Sequence, residues 1–125
     1  MTEKILMCRP DYYGIKYEIN PWMNVNIQAD NNKAKIQWEN LYSTLKDDLK
    51  VAVKLVEPKE DVPDMVFTAN AAVMYGKKAI MSRFKYPERQ KEEKYYAEWF
   101  QNNGYEVIWM PNTIAFEGAG DALYL

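Results

Sequence analysis

The sequence has 125 residues, 48% hydrophobic and 27% charged, which suits one folded core and is too short for two sizeable domains. Sixteen Lys and Arg against eighteen Asp and Glu give a net charge of -2, so no basic excess favours nucleic acid or an anionic membrane as a partner. There is no histidine and one cysteine, Cys8, which excludes an internal disulfide and any catalytic triad or zinc site that needs histidine. No apolar stretch reaches the roughly 7–15 residues of a secretory signal or the about 20 of a spanning helix, so we expect a cytoplasmic protein.

The first half of the chain predicts a strand, a long loop, a helix and a second strand. Residues 4–9 form a short apolar run that stops at Pro10, which is typical of a buried strand. Residues 11–26 have no regular period and predict an ordered loop. Asp30 is a candidate cap for a helix whose apolar residues recur every three or four positions, namely Ala34, Trp38, Leu41, Leu45 and Leu49. Residues 51–56 alternate, which predicts a strand whose odd-numbered side chains face inward.

The second half predicts a strand pair and another helix. Residues 65–75 and 79–84 are strand-like runs with a Gly-Lys-Lys turn between them. Pro87 suits the first turn of a helix that continues to Asn102 or Asn103. An aromatic stripe spaced for one helix face is formed by Tyr95 or Tyr96, Trp99 and Phe100.

The end of the chain predicts further strands. Residues 105–110 form one, and residues 115–125 contain two short strand-like pieces around the sequence Gly-Ala-Gly. The order of elements looks like two copies of a strand-helix-strand-strand unit, which indicates an α/β fold. Because the last strand-like piece stops at Leu125 without a partner, we expect a truncated sequence.

Residues 63–70 (PDMVFTAN) are the first segment that carries candidate chemistry. Asp64 opens a predicted strand and Asn70 lies at its far end, where a loop could expose both side chains. The alternative is structural: Asp64 follows Pro63 in a turn, and Asn70 ends a strand.

Residues 116–121 (FEGAGD) are the second segment. Glu117 and Asp121 flank small residues that let a ligand approach the backbone, and paired carboxylates suit a planar cation such as guanidinium. The alternative is a glycine-rich turn with a solvated acid on each side, in which Asp121 accepts backbone N–H bonds.

Residues 82–89 are the third segment, since Arg83, Lys85 and Arg89 near a helix start could bind a substrate carboxylate. The alternating charges of residues 88–94 favour instead a solvated helix face. Cys8 is a weak candidate nucleophile, because it lies in an apolar strand and has no histidine to serve as its base.

Taken together, the segments at 63–70 and 116–121, with Arg89 between them, resemble the guanidino-group modifying enzymes, or pentein (amidinotransferase) superfamily. The nearest resemblance is to dimethylarginine dimethylaminohydrolase-like proteins, and it extends over nearly the whole chain. It implies an α/β-propeller of strand-helix-strand-strand units, of which residues 1–125 supply about two of five blades and the start of a third as the N-terminal part of one domain.

The resemblance also implies roles for individual residues. Asp64 would bind the amino or guanidinium end of a small guanidino or ureido substrate, and Phe67 would pack on its alkyl chain. Glu117 would grip the guanidinium beside the reacting carbon, and Asn70 and Asp121 would join the binding site. Arg89, or otherwise Arg83, would bind the substrate carboxylate. Because Ala69 and Asn70 replace acidic residues that some members carry, the substrate need not be a methylated arginine.

The chemistry that the resemblance implies is covalent, with a cysteine nucleophile and a histidine acid–base in the C-terminal half of the enzyme. This sequence has neither at that end, so we expect an inactive substrate-binding half, with no metal or cofactor. Two alternatives stay open. One is a non-catalytic assembly module that completes the propeller by self-association, and the other is a plain α/β domain with incidental carboxylates.

Overall fold

The computed structural model describes residues 3–125, and the chain divides into two compact units, Met1–Val66 and Phe67–Leu125. Both units combine strands with helices, so the predicted α/β class is confirmed. Within residues 3–125, no helix combines the length and apolar character that crossing a membrane requires.

The first unit is built on a parallel strand pair. β1 (Lys4–Cys8) pairs with β2 (Ala52–Val56), and the connection between them carries α1 (Asn31–Ser43), which continues as a π-helix over Thr44–Asp48. This is the arrangement expected of parallel neighbours, whose connection must cross over the sheet. The buried hydrophobic residues of the unit are Met7, Cys8, Val56, Val62 and Met65.

Local signals set the bounds of α1 and of the loop before it. The Asp30 carboxylate accepts a hydrogen bond from the Lys33 backbone N–H, so the predicted cap is confirmed. The Gln28 side chain forms hydrogen bonds with both the N–H and the C=O of Ile15. These bonds hold the loop in place although it contains no helix or strand. One detail of β2 was predicted wrongly. Leu55, expected to face inward, is exposed, and Val56, expected to face outward, is buried, so burial in this strand does not alternate strictly.

The second unit contains a three-stranded sheet in the order β3-β4-β5. β3 (Ala72–Tyr75) and β4 (Lys78–Met81) form an antiparallel hairpin, and β5 (Glu106–Trp109) pairs in parallel with β4. Between β4 and β5 lie α2 (Pro87–Gln90) and α3 (Glu92–Asn102), which are separated at Lys91. The buried hydrophobic residues of the unit are Ala71, Ala79, Met81, Phe84, Tyr96, Ala97 and Phe100.

Two predicted strands are replaced by turns. Residues 65–71 do not extend β3, because short-range bonds fold them into 3-10 turns at Pro63–Val66 and Thr68–Asn70. Residues 115–125 contain no strand, although Phe116 makes an isolated bridge with Arg83. A third 3-10 turn covers Gly118–Gly120, whose small residues form a local turn instead of pairing with a neighbouring strand.

Candidate functional site

Asp64 lies in the first unit, in the 3-10 turn Pro63–Val66 rather than at the start of a strand. Its carboxyl group is buried, and its Oδ2 accepts a hydrogen bond from the Tyr17 hydroxyl at 2.6 Å. Tyr17 belongs to the long loop before α1, so this bond ties that loop to the turn. Tyr17 was not among the predicted site residues, since its place in an irregular loop offers no periodic signal that could have identified it.

In the second unit, the two segments that carried the family resemblance meet. The turn Gly118–Gly120 packs against residues 69–70 so closely that a Cβ at Gly118 would lie 2.6 Å from the Ala69 carbonyl oxygen. Gly118 has a φ of +57°, which glycine adopts without steric cost. The Asn70 side-chain Nδ2 donates to the Glu117 carbonyl oxygen across the same contact at 3.4 Å. Asn70 and Glu117 are therefore neighbours in space although 47 residues apart in sequence.

Asn70 is held from two further directions. The hydroxyl of Ser82, a completely buried residue just after β4, donates to the Asn70 backbone carbonyl. The Arg89 Nη1 donates to the Asn70 side-chain Oδ1 at 3.1 Å. Backbone and side chain of Asn70 are thus both fixed by neighbouring elements.

Arg89 forms a buried ion pair with Glu92, one turn further along the chain. Nε lies 2.8 Å from Oε2 and Nη2 lies 2.9 Å from Oε1, so the guanidinium and carboxylate match in a two-pronged contact. Arg89 is 7% exposed and Glu92 0%, and the Phe84 ring lies 4.4 Å from the guanidinium carbon.

The solvated-face interpretation of residues 88–94 is therefore wrong for Arg89 and Glu92. Glu92 precedes Tyr96 by four residues and Phe100 by eight, so all three lie on the buried face of α3. Glu92 was not among the predicted site residues, although its spacing from Tyr96 and Phe100 is a signal in the sequence that could have identified it.

Arg83 has a different environment. Its Nε donates to the Met110 carbonyl oxygen at 2.9 Å, and its Nη1 pairs with Glu93 at 3.1 Å. The guanidinium also lies over the Trp109 ring at 4.4 Å. These contacts join the segment after β4 to the end of β5 and to α3, whereas Arg89 joins Asn70 and Glu92.

The carboxylates of Glu117 and Asp121 make different hydrogen bonds. The Asp121 carboxylate accepts the Glu117 backbone N–H at 2.7 Å, so the alternative in which Asp121 serves its own turn matches the structure. The half-buried Glu117 carboxylate accepts the Lys85 backbone N–H at 3.2 Å. Nearby in the unit, the Phe67 ring is 46% exposed and lies 6.0 Å from the Arg89 guanidinium carbon.

Comparison with known proteins identifies the family. A family model described as N,N dimethylarginine dimethylhydrolase, eukaryotic, matches residues 14–124. The chain belongs to this family.

Two curated relatives illustrate the range of similarity. The bifunctional arginine dihydrolase/ornithine cyclodeaminase AgrE of Nostoc sp. is 49% identical over 126 residues, covering 98% of this chain and 18% of AgrE. The N(G),N(G)-dimethylarginine dimethylaminohydrolase of Mycobacterium tuberculosis is 38% identical over 122 residues, covering 98% of this chain and 39% of that enzyme. The chain thus spans less than half the length of either relative.

A solved structure gives the same picture. The substrate-bound N-terminal domain of ArgZ, an arginine dihydrolase from the ornithine-ammonia cycle in cyanobacteria, superposes with a TM-score of 0.90 at 48% identity. The match covers 97% of this chain and 44% of that domain. A dimethylarginine dimethylaminohydrolase adduct at 22% identity, with a TM-score of 0.77, shares the fold.

The described side chains include acceptors and one buried thiol. A carboxylate has several acceptor positions, so the Glu117 carboxylate can accept hydrogen bonds in addition to the one from the Lys85 N–H. Among residues 3–125, no group of three or more Cys, Asp or Glu side chains is arranged to hold a metal ion. Cys8 is buried in β1, where its thiol lies 3.7 Å from the Arg9 carbonyl oxygen.

Proposed function

We propose that residues 1–125 are the substrate-binding N-terminal part of a guanidine hydrolase that acts on arginine or a similar substrate. The arginine dihydrolases AgrE and ArgZ support an arginine-type substrate, since they are 49% and 48% identical to this chain. We further propose that the two units contribute about two of five blades, and the start of a third, to an α/β-propeller. The strand-helix-strand order in each unit supports this arrangement.

The observation that carries the proposal is the contact between residues 67–70 and 116–121. These segments are far apart in sequence, and the fold of the second unit places Asn70 against the Glu117 turn. The Asn70 amide donates to the Glu117 backbone carbonyl, and the side chain of the same glutamate is a carboxylate, a group that can accept hydrogen bonds from a planar cation with several N–H donors. This placement supports a guanidinium-binding role for Glu117.

The individual roles follow from this site. Glu117 binds the substrate guanidinium, Asn70 contributes its amide, and Phe67 covers the alkyl chain. For the substrate carboxylate we propose Arg89 first, because it adjoins Phe67 and Asn70, and Arg83 second. Both guanidinium groups already have protein partners, Arg89 in Glu92 and Asn70 and Arg83 in Glu93 and the Met110 carbonyl. Asp121 shapes the turn that carries Glu117. The role proposed for Asp64, binding the amino end of the substrate, rests on the family resemblance.

The reaction itself needs groups from outside residues 1–125. A cysteine thiolate attacks the guanidinium carbon, the C–N bond to the leaving amine breaks, and water then releases the carbon from sulfur. A histidine transfers the protons. An ArgZ N-terminal domain has been captured covalently bound to a reaction intermediate, which supports the covalent route. The present sequence has no histidine, and its one cysteine is the buried Cys8.

Titration with L-arginine, followed by NMR, tests the proposal. We expect L-arginine to shift the Asn70 side-chain amide signals and the Lys85 backbone amide signal, because Lys85 donates to the Glu117 carboxylate. L-citrulline has the same amino-acid end but a neutral ureido group, so it should bind at least about tenfold more weakly, as a lost charged hydrogen-bond pair predicts.

Two variants make the test specific. Glu117→Gln keeps the shape of the side chain and should remove the preference for L-arginine, whereas its melting temperature should change little. Asp121→Asn is the matched control: it weakens the acceptor for the Glu117 N–H, so it should lower the melting temperature and leave the preference in place. Equal binding of both ligands, or an unchanged preference in Glu117→Gln, would contradict the proposed role of Glu117.

A further inference from the structure

We infer that Glu92 is a positioning residue for the proposed guanidino site, an inference that rests on the proposed function above. Glu92 fixes the guanidinium of Arg89, and the guanidinium fixes the side-chain amide of Asn70. Through these two steps, a glutamate within α3 sets the orientation of the amide that lies against the Glu117 turn.

The first step is the contact between Glu92 and Arg89. Two hydrogen bonds, of 2.8 and 2.9 Å, join two planar groups, so neither group can rotate without breaking a bond. Glu92 is completely buried and Arg89 almost so, which excludes water as a ready replacement partner. The guanidinium plane is therefore set by the carboxylate.

The second step is the contact between Arg89 and Asn70. Arg89 Nη1 lies 3.1 Å from Asn70 Oδ1. A guanidinium can only donate hydrogen bonds, so the oxygen of the amide must face it. The amide nitrogen then points the other way, where it donates to the Glu117 carbonyl oxygen at 3.4 Å. A flipped amide would lose both contacts and place two donors against each other.

A purely stabilising role explains these observations less well. Buried ion pairs are often replaceable by apolar groups without loss of stability, because desolvation offsets their attraction. The helix α3 is already anchored by Tyr96 and Phe100, which are buried in the same unit. The distinctive consequence of a charged pair at this place is geometric, since it determines which atom of Asn70 faces the Glu117 turn.

Residue Glu93 provides a matched control. It is the next residue of α3, it also pairs with an arginine, and its pair with Arg83 measures 3.1 Å. Its second carboxylate oxygen accepts the Phe84 backbone N–H, so both oxygens of Glu93 bond groups other than the Asn70 amide. Glu93→Gln therefore removes a comparable charge from the same helix without changing the contact to the amide.

The experiment compares the Asn70 side-chain NH2 signals of the chain with those of Glu92→Gln and Glu93→Gln. We expect Glu92→Gln to shift and broaden these signals and to weaken L-arginine binding about tenfold, as the loss of a charged hydrogen bond predicts. Glu93→Gln should leave the Asn70 side-chain signals in place. Glu92→Asp keeps the buried charge but is one methylene shorter, so it cannot hold the Arg89 guanidinium in the same two-pronged contact. It should also shift the Asn70 signals, and it decides the question if Glu92→Gln fails to fold.

The outcomes separate positioning from stability and from the proposed function. Asn70 signals that stay unchanged in Glu92→Gln and in Glu92→Asp, with only a lower melting temperature, would overturn the positioning role. Failure of L-arginine to bind the unmodified chain would count against the proposed function, while the amide signals would still decide whether Glu92 orients Asn70.

Discussion

Replacing Gly118 with alanine tests the contact on which the site depends. The new methyl group would lie 2.6 Å from the Ala69 carbonyl oxygen, 2.9 Å from the Asn70 carbonyl carbon and 3.0 Å from the Asn70 carbonyl oxygen. All three are backbone atoms, so rotation of a side chain cannot relieve the overlap. Either the turn Gly118–Gly120 or residues 69–70 must move.

The size of the effect follows from two costs. A left-handed backbone conformation costs an alanine about 1–2 kcal/mol relative to glycine, and the φ of Gly118 is +57°. Forcing a methyl group into a filled space costs about 1–3 kcal/mol more. Because alanine also restricts the unfolded chain, which returns about 0.4–1 kcal/mol, we expect a net loss of about 1–5 kcal/mol in the free energy of unfolding.

Gly76→Ala is the control for the backbone cost alone. Gly76 has a φ of +58°, and no atom of the described residues lies within 4 Å of a Cβ built there. After the same return from the unfolded chain, this variant should lose only about 0–1.6 kcal/mol. Urea unfolding followed by circular dichroism measures both losses, and an unchanged slope with denaturant shows that the unfolded states are comparable.

The difference between the two variants isolates the overlap with residues 69–70. We expect Gly118→Ala to lose more stability than Gly76→Ala, and to shift the amide signals of Asn70. Equal losses in the two variants would refute the close packing of the Glu117 turn on Asn70, and with it the geometry on which the proposed site rests.

Two further predictions concern the first unit and the reaction. Tyr17→Phe removes the hydroxyl bond to the buried Asp64, so the free energy of unfolding should fall by about 1–3 kcal/mol in urea, whereas Tyr12→Phe, at an exposed tyrosine, should change it little. Purified residues 1–125 should release neither ammonia nor citrulline from L-arginine above the buffer rate in a colorimetric assay, because histidine is missing and Cys8 is buried. Release that Glu117→Ala abolishes would contradict this second expectation.

The parts of the fold that sequence could predict are those fixed by local chemistry. Asp30 caps α1 because its side chain reaches a backbone N–H three residues ahead, and Pro87 begins α2 because its ring suits the first turn. Pro10 follows β1 closely, as a residue without a backbone donor should. Each of these signals depends on residues within one turn of each other, so it does not depend on contacts with distant parts of the chain.

The parts that sequence could not predict depend on contacts between distant segments. Residues 65–71 were predicted as a strand because they are mostly apolar. The prediction failed because periodicity cannot assign a short apolar run to one backbone conformation. At the candidate site, the motifs around Asn70 and Glu117 were identified, but Glu92 was not. Its alternating charged neighbours indicated a solvated face, while its spacing from Tyr96 and Phe100 placed it on the buried one.

The sequence separations within the polar network suggest the order in which it assembles during folding. Arg89 and Glu92 are three residues apart, so their contact requires only one helical turn. The contact between Asn70 and Glu117 must close a segment of 47 residues. Closing this segment costs more chain entropy than forming one helical turn, so the contact forms more slowly than the ion pair. We expect the charged pair to form early with α3, and the amide of Asn70 to acquire its final orientation only when the Glu117 turn docks.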